Sequence, residues 1–158
     1  MVTARRVILA VPPVVVALSY LVWTHFAAQV AVGNLPPFDL RLYGYEEAKV
    51  YLAGLSDTAR AVYLGPLHWA DLALMISLTL TLLLPVWRKG WAWCLPAIGY
   101  LVFDVLENRA VAALLTRGLH EVGEVAALSL FTGIKFGALA LAAVLAVWRF
   151  WAIWRARA

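Results

Sequence analysis

Apolar positions in this chain come in long unbroken runs and not in short alternations. Four runs, at about residues 7–31, 63–87, 91–115 and 125–148, dominate its 158 residues. At about 1.5 Å of rise per residue, each is long enough as a helix to cross a hydrocarbon layer of about 30 Å. The pattern predicts an all-α fold, an integral membrane four-helix bundle, with residues 1–158 forming a single transmembrane domain. The first run follows Arg5 and Arg6, as a secretory leader would, but the Ala27 to Val32 region offers a poor cleavage site. It is read as a retained helix.

The breaks between runs carry their own signals. Pro12 and Pro13 fall near the start of the first run, where a missing amide is tolerated or produces a kink. Residues 33–61 form the longest connection, and within it Ala48, Tyr51, Leu52 and Leu55 recur at helical spacing while Glu46, Glu47 and Lys49 take the opposite side. That is a short amphipathic helix in the first outer loop, stopped at Gly54. It is either a lid over the bundle or a tether on the membrane surface, and the tether is the simpler expectation. Ser56 or Asp57 suits a helix N-cap ahead of the second run, and Gly65 with Pro66 marks a bend or a fresh start.

Composition agrees with the membrane reading. Hydrophobic residues make up 65% of the chain and charged residues 14%, against roughly 25% charged in ordinary soluble domains, which excludes most cytosolic enzymes. A net charge of +4 does not indicate a nucleic-acid partner, because the basic residues cluster at the ends of the runs and form no patch interleaved with aromatics. Arg5, Arg6, Arg88, Lys89, Arg149, Arg155 and Arg157 all fall at one predicted side, together with six of the eight tryptophans. By the positive-inside rule that side, with both termini, is cytoplasmic. The single Cys94 has no partner for an internal disulfide and reads as a small apolar filler.

Charged groups inside a bilayer cost several kcal/mol unless they face a partner or water. Here they occur on every run: His25 on the first, His68 and Asp71 on the second, Tyr100, Asp104, Glu107 and Asn108 on the third, Thr132 and Lys135 on the fourth. Counted from the outer ends, His25 lies roughly 9 Å deep, Asp71 about 12 Å, Asp104 about 16 Å and Lys135 about 15 Å. At 100° per residue, Ala97, Tyr100, Asp104, Glu107, Asn108 and Val111 share one face, while Arg109 points away to snorkel. His68, Asp71, Met75 and Thr79 share another face, and Lys135 shares its own with Leu128, Phe131, Thr132 and Ala142. These faces are expected to turn inward into one polar pocket in the outer half of the bilayer.

Three carboxylates, one lysine and two histidines at such range cannot all be charged, so at least one proton is expected to be shared among them. Several functions fit that cluster. It can be an ionic lock that holds the helices in register. It can move a proton on a hydrophobic substrate, with Lys135 stabilising negative charge, or bind a small amphiphilic ligand such as a lipid or quinone. A metal site built from His25, His68, Asp71, Asp104 and Glu107 is disfavoured by the cation at Lys135, so no metal ligand is assigned and no cofactor is specified. No residue is singled out as catalytic.

The fourth run has a second side. Ala126, Ser129, Gly133, Gly137 and Ala140 form a strip of small residues containing a Gly-x-x-x-Gly pair, which admits close approach of another helix. Membrane lipids are the expected surroundings, and the strip offers a face for a homo-oligomer or for a larger membrane complex in which this chain is a non-catalytic accessory subunit. The alternative is packing against a neighbouring run of the same chain.

The segment from Phe38 to Arg109, with "YGYEEAKVYLAGLSD", "HWADL" and "FDVLENR", resembles a group of uncharacterised bacterial inner-membrane proteins of four helices. Gly44 and Tyr45, Arg60 and Tyr63, Asp71, Glu107 and Asn108 carry the resemblance, while Ala73 and Leu74 stand where that group often has Phe-Pro. It implies a four-helix fold in a bacterial inner (plasma) membrane and no particular activity.

Overall fold

The computed structural model describes residues 2–155, apart from the side chains of residues 2–10 and of Asp39. Arg5, Arg6 and Arg157, which helped to orient the chain above, lie outside the described side chains. Helix α1 is Val2–Gln29, α2 is Tyr45–Gly54, α3 is Asp57–Val62, α4 is His68–Leu83, α5 is Trp91–Arg117 and α6 is Val122–Arg155. Single 3-10 turns at Phe38–Leu40 and Trp87–Lys89 punctuate the connections. Among the described residues there is no strand, only an isolated bridge between Val32 and Leu35.

Three helices are long and apolar enough to cross a membrane: Val11–Gln29, the continuous Asp57–Leu83 and Val122–Arg155. Helix α5 has the length, 27 residues, but its polar residues dilute its hydropathy. The helix leading into the second run starts at Asp57, where the expected cap forms: the Ser56 hydroxyl accepts from the Ala59 amide at 3.2 Å. Gly65 and Pro66 do not start a new helix. A π-turn at Tyr63–Leu67 joins α3 to α4 and absorbs Pro66, which has no amide hydrogen to give to the preceding turn.

Helix α5 packs along α6 and also against α4, whereas α1 leans chiefly on α4. The arrangement is therefore more open than a square bundle, and α1 leaves Val11, Val14, Leu18 and Leu21 uncovered. Such a face is stable in acyl chains and would be costly in water.

The connection over residues 33–61 is no tether. Phe38, Ala48 and Tyr51 are fully buried, in one cluster with Trp23 of α1, Val30 just past its end, Leu67 of the π-turn, Leu115 of α5 and Leu128 of α6. The Phe38 ring lies 4.7 Å from both Tyr43 and Tyr51, centroid to centroid. Two hydroxyls in this plug make long-range hydrogen bonds. The Tyr51 hydroxyl donates to the Val30 carbonyl at 2.7 Å, and the Phe38 amide donates to the Tyr63 hydroxyl at 3.1 Å. Helix α2 thus seals one end of the helices, its exposed side carrying Glu46, Glu47 and Lys49 as the spacing predicts. An amide at Gly44 and the Arg41 guanidinium (2.7 Å) both bind Glu47, which fixes the start of α2.

At the opposite end, Leu82, Ala97, Ala142 and Ala146 form a smaller core, and Trp93 stacks on Trp148 at 5.5 Å.

Candidate functional site

The inward face of α5 emerges as its periodicity predicts: Ala97, Tyr100, Asp104, Glu107, Asn108 and Val111 are all buried, while Arg109 is exposed. Opposite it, α6 presents Leu128, Thr132 and Lys135, and α4 presents Asp71, Met75 and Thr79, all buried. A helix repeats every 3.6 residues, so one face of α5 brings Asp104 and Glu107 to α6 while Asn108 turns toward α4.

Lys135 sits between two carboxylates. Its ammonium lies 2.9 Å from Asp104 Oδ1 and also pairs with Glu107, and the three side chains are 0–6% exposed. Thr132, one turn before Lys135, bonds the Glu107 carboxyl through its hydroxyl and also reaches the Leu128 carbonyl at 3.0 Å. Across the helix pair, Asn108 Nδ2 donates to Asp71 Oδ2. Tyr100 is buried on the same face of α5, one turn before Asp104. A buried ion pair recovers its desolvation cost only when the remaining lone pairs are bonded, and Thr132 supplies one of those bonds here.

A cleft of about 110 Å³ opens on the α4 side, lined by Tyr63, Leu67, His68, Asp71, Asn108 and Val111 among others. His68 is half-buried at its edge. The π-turn places Tyr63 and Leu67 in the cleft wall, and the Tyr63 hydroxyl also holds the plug through the Phe38 amide.

One expected member of the pocket does not join, and one expected member of the packing strip is engaged elsewhere. His25 is exposed, its ring nitrogen 3.1 Å from Gln29 of its own helix, because α1 packs on α4 with a different face, the one bearing Ser19, Trp23 and Ala27. Ser129 does not belong to an open packing strip: its hydroxyl donates to the Tyr43 carbonyl at 2.9 Å and accepts from the Tyr43 amide at 3.3 Å, pinning that connection to α6. Gly133 faces Leu42 at the edge of van der Waals contact, whereas Gly137 has open space around it and Ala140 is exposed. The strip therefore packs against no other long helix of the chain.

Tyr63 and Arg60 were not singled out as site residues. Arg60 reaches from α3 to the Leu115 carbonyl of α5 and ties the plug to the helix that carries the cluster. The density of aromatic residues in an otherwise polar connection was the available signal for the plug. Among the described residues, no three His, Cys, Asp or Glu side chains converge as a metal site would require. The class of protein is clear at this level: an all-helical chain with membrane-length apolar helices and a charged cluster enclosed among them. No family model, curated protein or solved structure matches it.

Proposed function

We propose that this chain is a small integral protein of a bacterial inner membrane, crossing it four times with both termini in the cytoplasm, and that its buried cluster stores and moves a proton. Helix α5 is the fourth crossing: at about 1.5 Å per residue its 27 residues exceed the thickness of the hydrocarbon layer. Its carboxylates are screened by α4 and α6. The concentration of tryptophan and basic residues at one end supports the orientation.

The hydroxyl of Thr132 carries the proton reading. It contacts two acceptors, Glu107 and the Leu128 carbonyl, and owns one hydrogen. A proton on the Glu107 carboxyl would let both contacts be full hydrogen bonds. Charge balance points the same way, since Asp71, Asp104 and Glu107 would otherwise oppose the single Lys135 in a low dielectric. Asp71, Tyr100, Asp104, Lys135 and Glu107 then form a run of exchangeable groups, with His68 at the cleft as the entry.

Cleft size separates this from ligand capture. Pockets that bury an amphiphile are roughly 300–1,000 Å³, whereas this one is about 110 Å³, room for a few waters or one polar headgroup at its mouth. An amphiphile therefore acts here as a proton donor or acceptor presented at His68 and not as an enclosed guest.

Infrared spectroscopy of the protein in lipid, in light and heavy water, tests the proposal. A protonated-carboxyl band is expected at neutral pH, titrating with the bulk phase and lost in Asp71→Asn or Glu107→Gln. Fully ionised carboxylates across the neutral range, with no such band, would leave an ionic lock as the cluster's whole role.

The open space at Gly137 favours one second reading, an accessory subunit docked through the Gly133 and Gly137 strip. Gly137→Leu is then expected to abolish function while the fold and the carboxyl band survive, and an unaffected cellular phenotype excludes it.

A further inference from the structure

The end of the molecule away from the polar cluster carries a surface that the proton reading does not use. All nine Asp and Glu residues lie within residues 39–124, and none falls between residues 72 and 103 or beyond 124. The turn at Trp87–Lys89 and the last turns of α6 nevertheless carry Arg88, Lys89, Arg149 and Arg155. Among the described residues none of these cations is ion-paired with an Asp or Glu, which leaves them available to an anionic group from outside the chain.

One stripe of α6 shows what form it takes. At 100° per residue, Ala143, Val144, Val147, Trp148, Trp151 and Arg155 fall within an arc of about 140°, on the side away from Lys135. The first five line a shallow, almost wholly apolar groove on the outside of the helices. Its wall is fixed by the stacking of Trp148 on Trp93, with planes 9° apart. Arg155 closes the upper end, its guanidinium 3.7 Å over the Trp151 ring. A methyl-lined slot running into two indoles and then a guanidinium matches, in order, an acyl chain, an interfacial glycerol region and a phosphate.

We propose that this face binds an anionic phospholipid of the leaflet at that end, with an acyl chain along Ala143 and Val147 and its phosphate at Arg155. The remaining basic rim supplies the attractive field. The proposal rests on the chain spanning a bilayer and is independent of the proton reading.

Tryptophan quenching by brominated lipid tests it on the unaltered full chain. Reconstituted in phosphatidylcholine vesicles with a minor fraction of brominated phosphatidylglycerol, the protein is expected to be quenched more than by brominated phosphatidylcholine at the same fraction. The excess should shrink as salt is raised. Arg155→Gln should lower the relative affinity about fivefold, the effect of one surface cation. Ala143→Phe, which fills the groove at unchanged charge, should remove the excess, and Arg117→Gln at the opposite end should leave it intact. Equal quenching of the unaltered chain by the two brominated lipids overturns the proposal, as does an excess indifferent to both Arg155→Gln and Ala143→Phe. A change in oligomeric mass on Ala143→Phe with lipid preference unchanged assigns the groove to a second copy, and overturns it equally.

Discussion

Lys135 of α6 and Asp104 of α5 meet at 2.9 Å where their side chains are 6% and 3% exposed, and Glu107 pairs with the same ammonium from one turn further along α5. Three ionisable groups from two helices thus share one enclosed point, and the energetics of the molecule turn on keeping all three.

Removing only the cation is the severe change. Lys135→Met leaves the Asp104 carboxylate beside Glu107 without a counter-charge, and breaking a buried pair in this way costs about 3–5 kcal/mol. Unfolding in mixed micelles should register that loss. Adding Asp104→Asn and Glu107→Gln to Lys135→Met should recover most of it, because the uncompensated charge goes with them. A triple variant as unstable as the single one would mean that packing and not charge sets the cost.

The plug makes a prediction separate from the cluster. Phe38 is fully buried against Tyr43 and Tyr51, so Phe38→Ala should cost about 3–5 kcal/mol locally. Limited proteolysis between Gly33 and Ser56 would show it as faster cleavage, with the transmembrane part still folded. Cleavage unchanged from the parent chain would show that hydrogen bonds, not the aromatic cluster, hold the plug.

Acid should loosen the start of α2. The Gly44 amide, and after it the Arg41 guanidinium, hold the Glu47 carboxyl below its ordinary value of 4.5. A carboxylate lowered on folding contributes stability that is complete above 4.5 and disappears as pH falls through the lowered value. Amide exchange at Gly44 to Ala48, corrected for intrinsic rate, is expected to accelerate on acidification through that range. In Glu47→Gln the same amides should exchange faster at neutral pH and lose their pH dependence. An unaltered profile in Glu47→Gln would remove the carboxylate from the capping role.

His25 supplies a contrast. Exposed and bonded only to Gln29 of its own helix among the contacts described, it should tolerate His25→Ala within about 0.5 kcal/mol. His68→Ala, at the mouth of the cleft, should instead slow proton exchange at the carboxyl band while leaving thermal stability nearly intact. Equal effects of the two substitutions would place the entry elsewhere.

Much of this was legible before any coordinates. Run lengths foretold the long helices, and the 100° periodicity of α5 selected its six inward residues and excluded Arg109, since a helix that carries charge through lipid has one low-energy rotation. The same reasoning brought Asp71, Asp104, Glu107 and Lys135 together. It failed at His25 because depth is additive along a helix, whereas facing depends on which neighbour that helix leans against. It failed at Ser129 and at the supposed tether for a related reason: the connection's aromatic residues find their partners on four different helices, at separations no local pattern encodes.

Periodicity and the cost of charge in hydrocarbon were therefore enough, from residues alone, to settle that this chain is helical, membrane-like in composition and polar at one level. Only the tertiary arrangement decided that Lys135 lies between two acids and not one, that a π-turn puts Tyr63 in both plug and cleft, and that α1 stands aside. Those outcomes depend on side chains meeting across helices, where packing geometry, and not the repeat of any single helix, determines the partner.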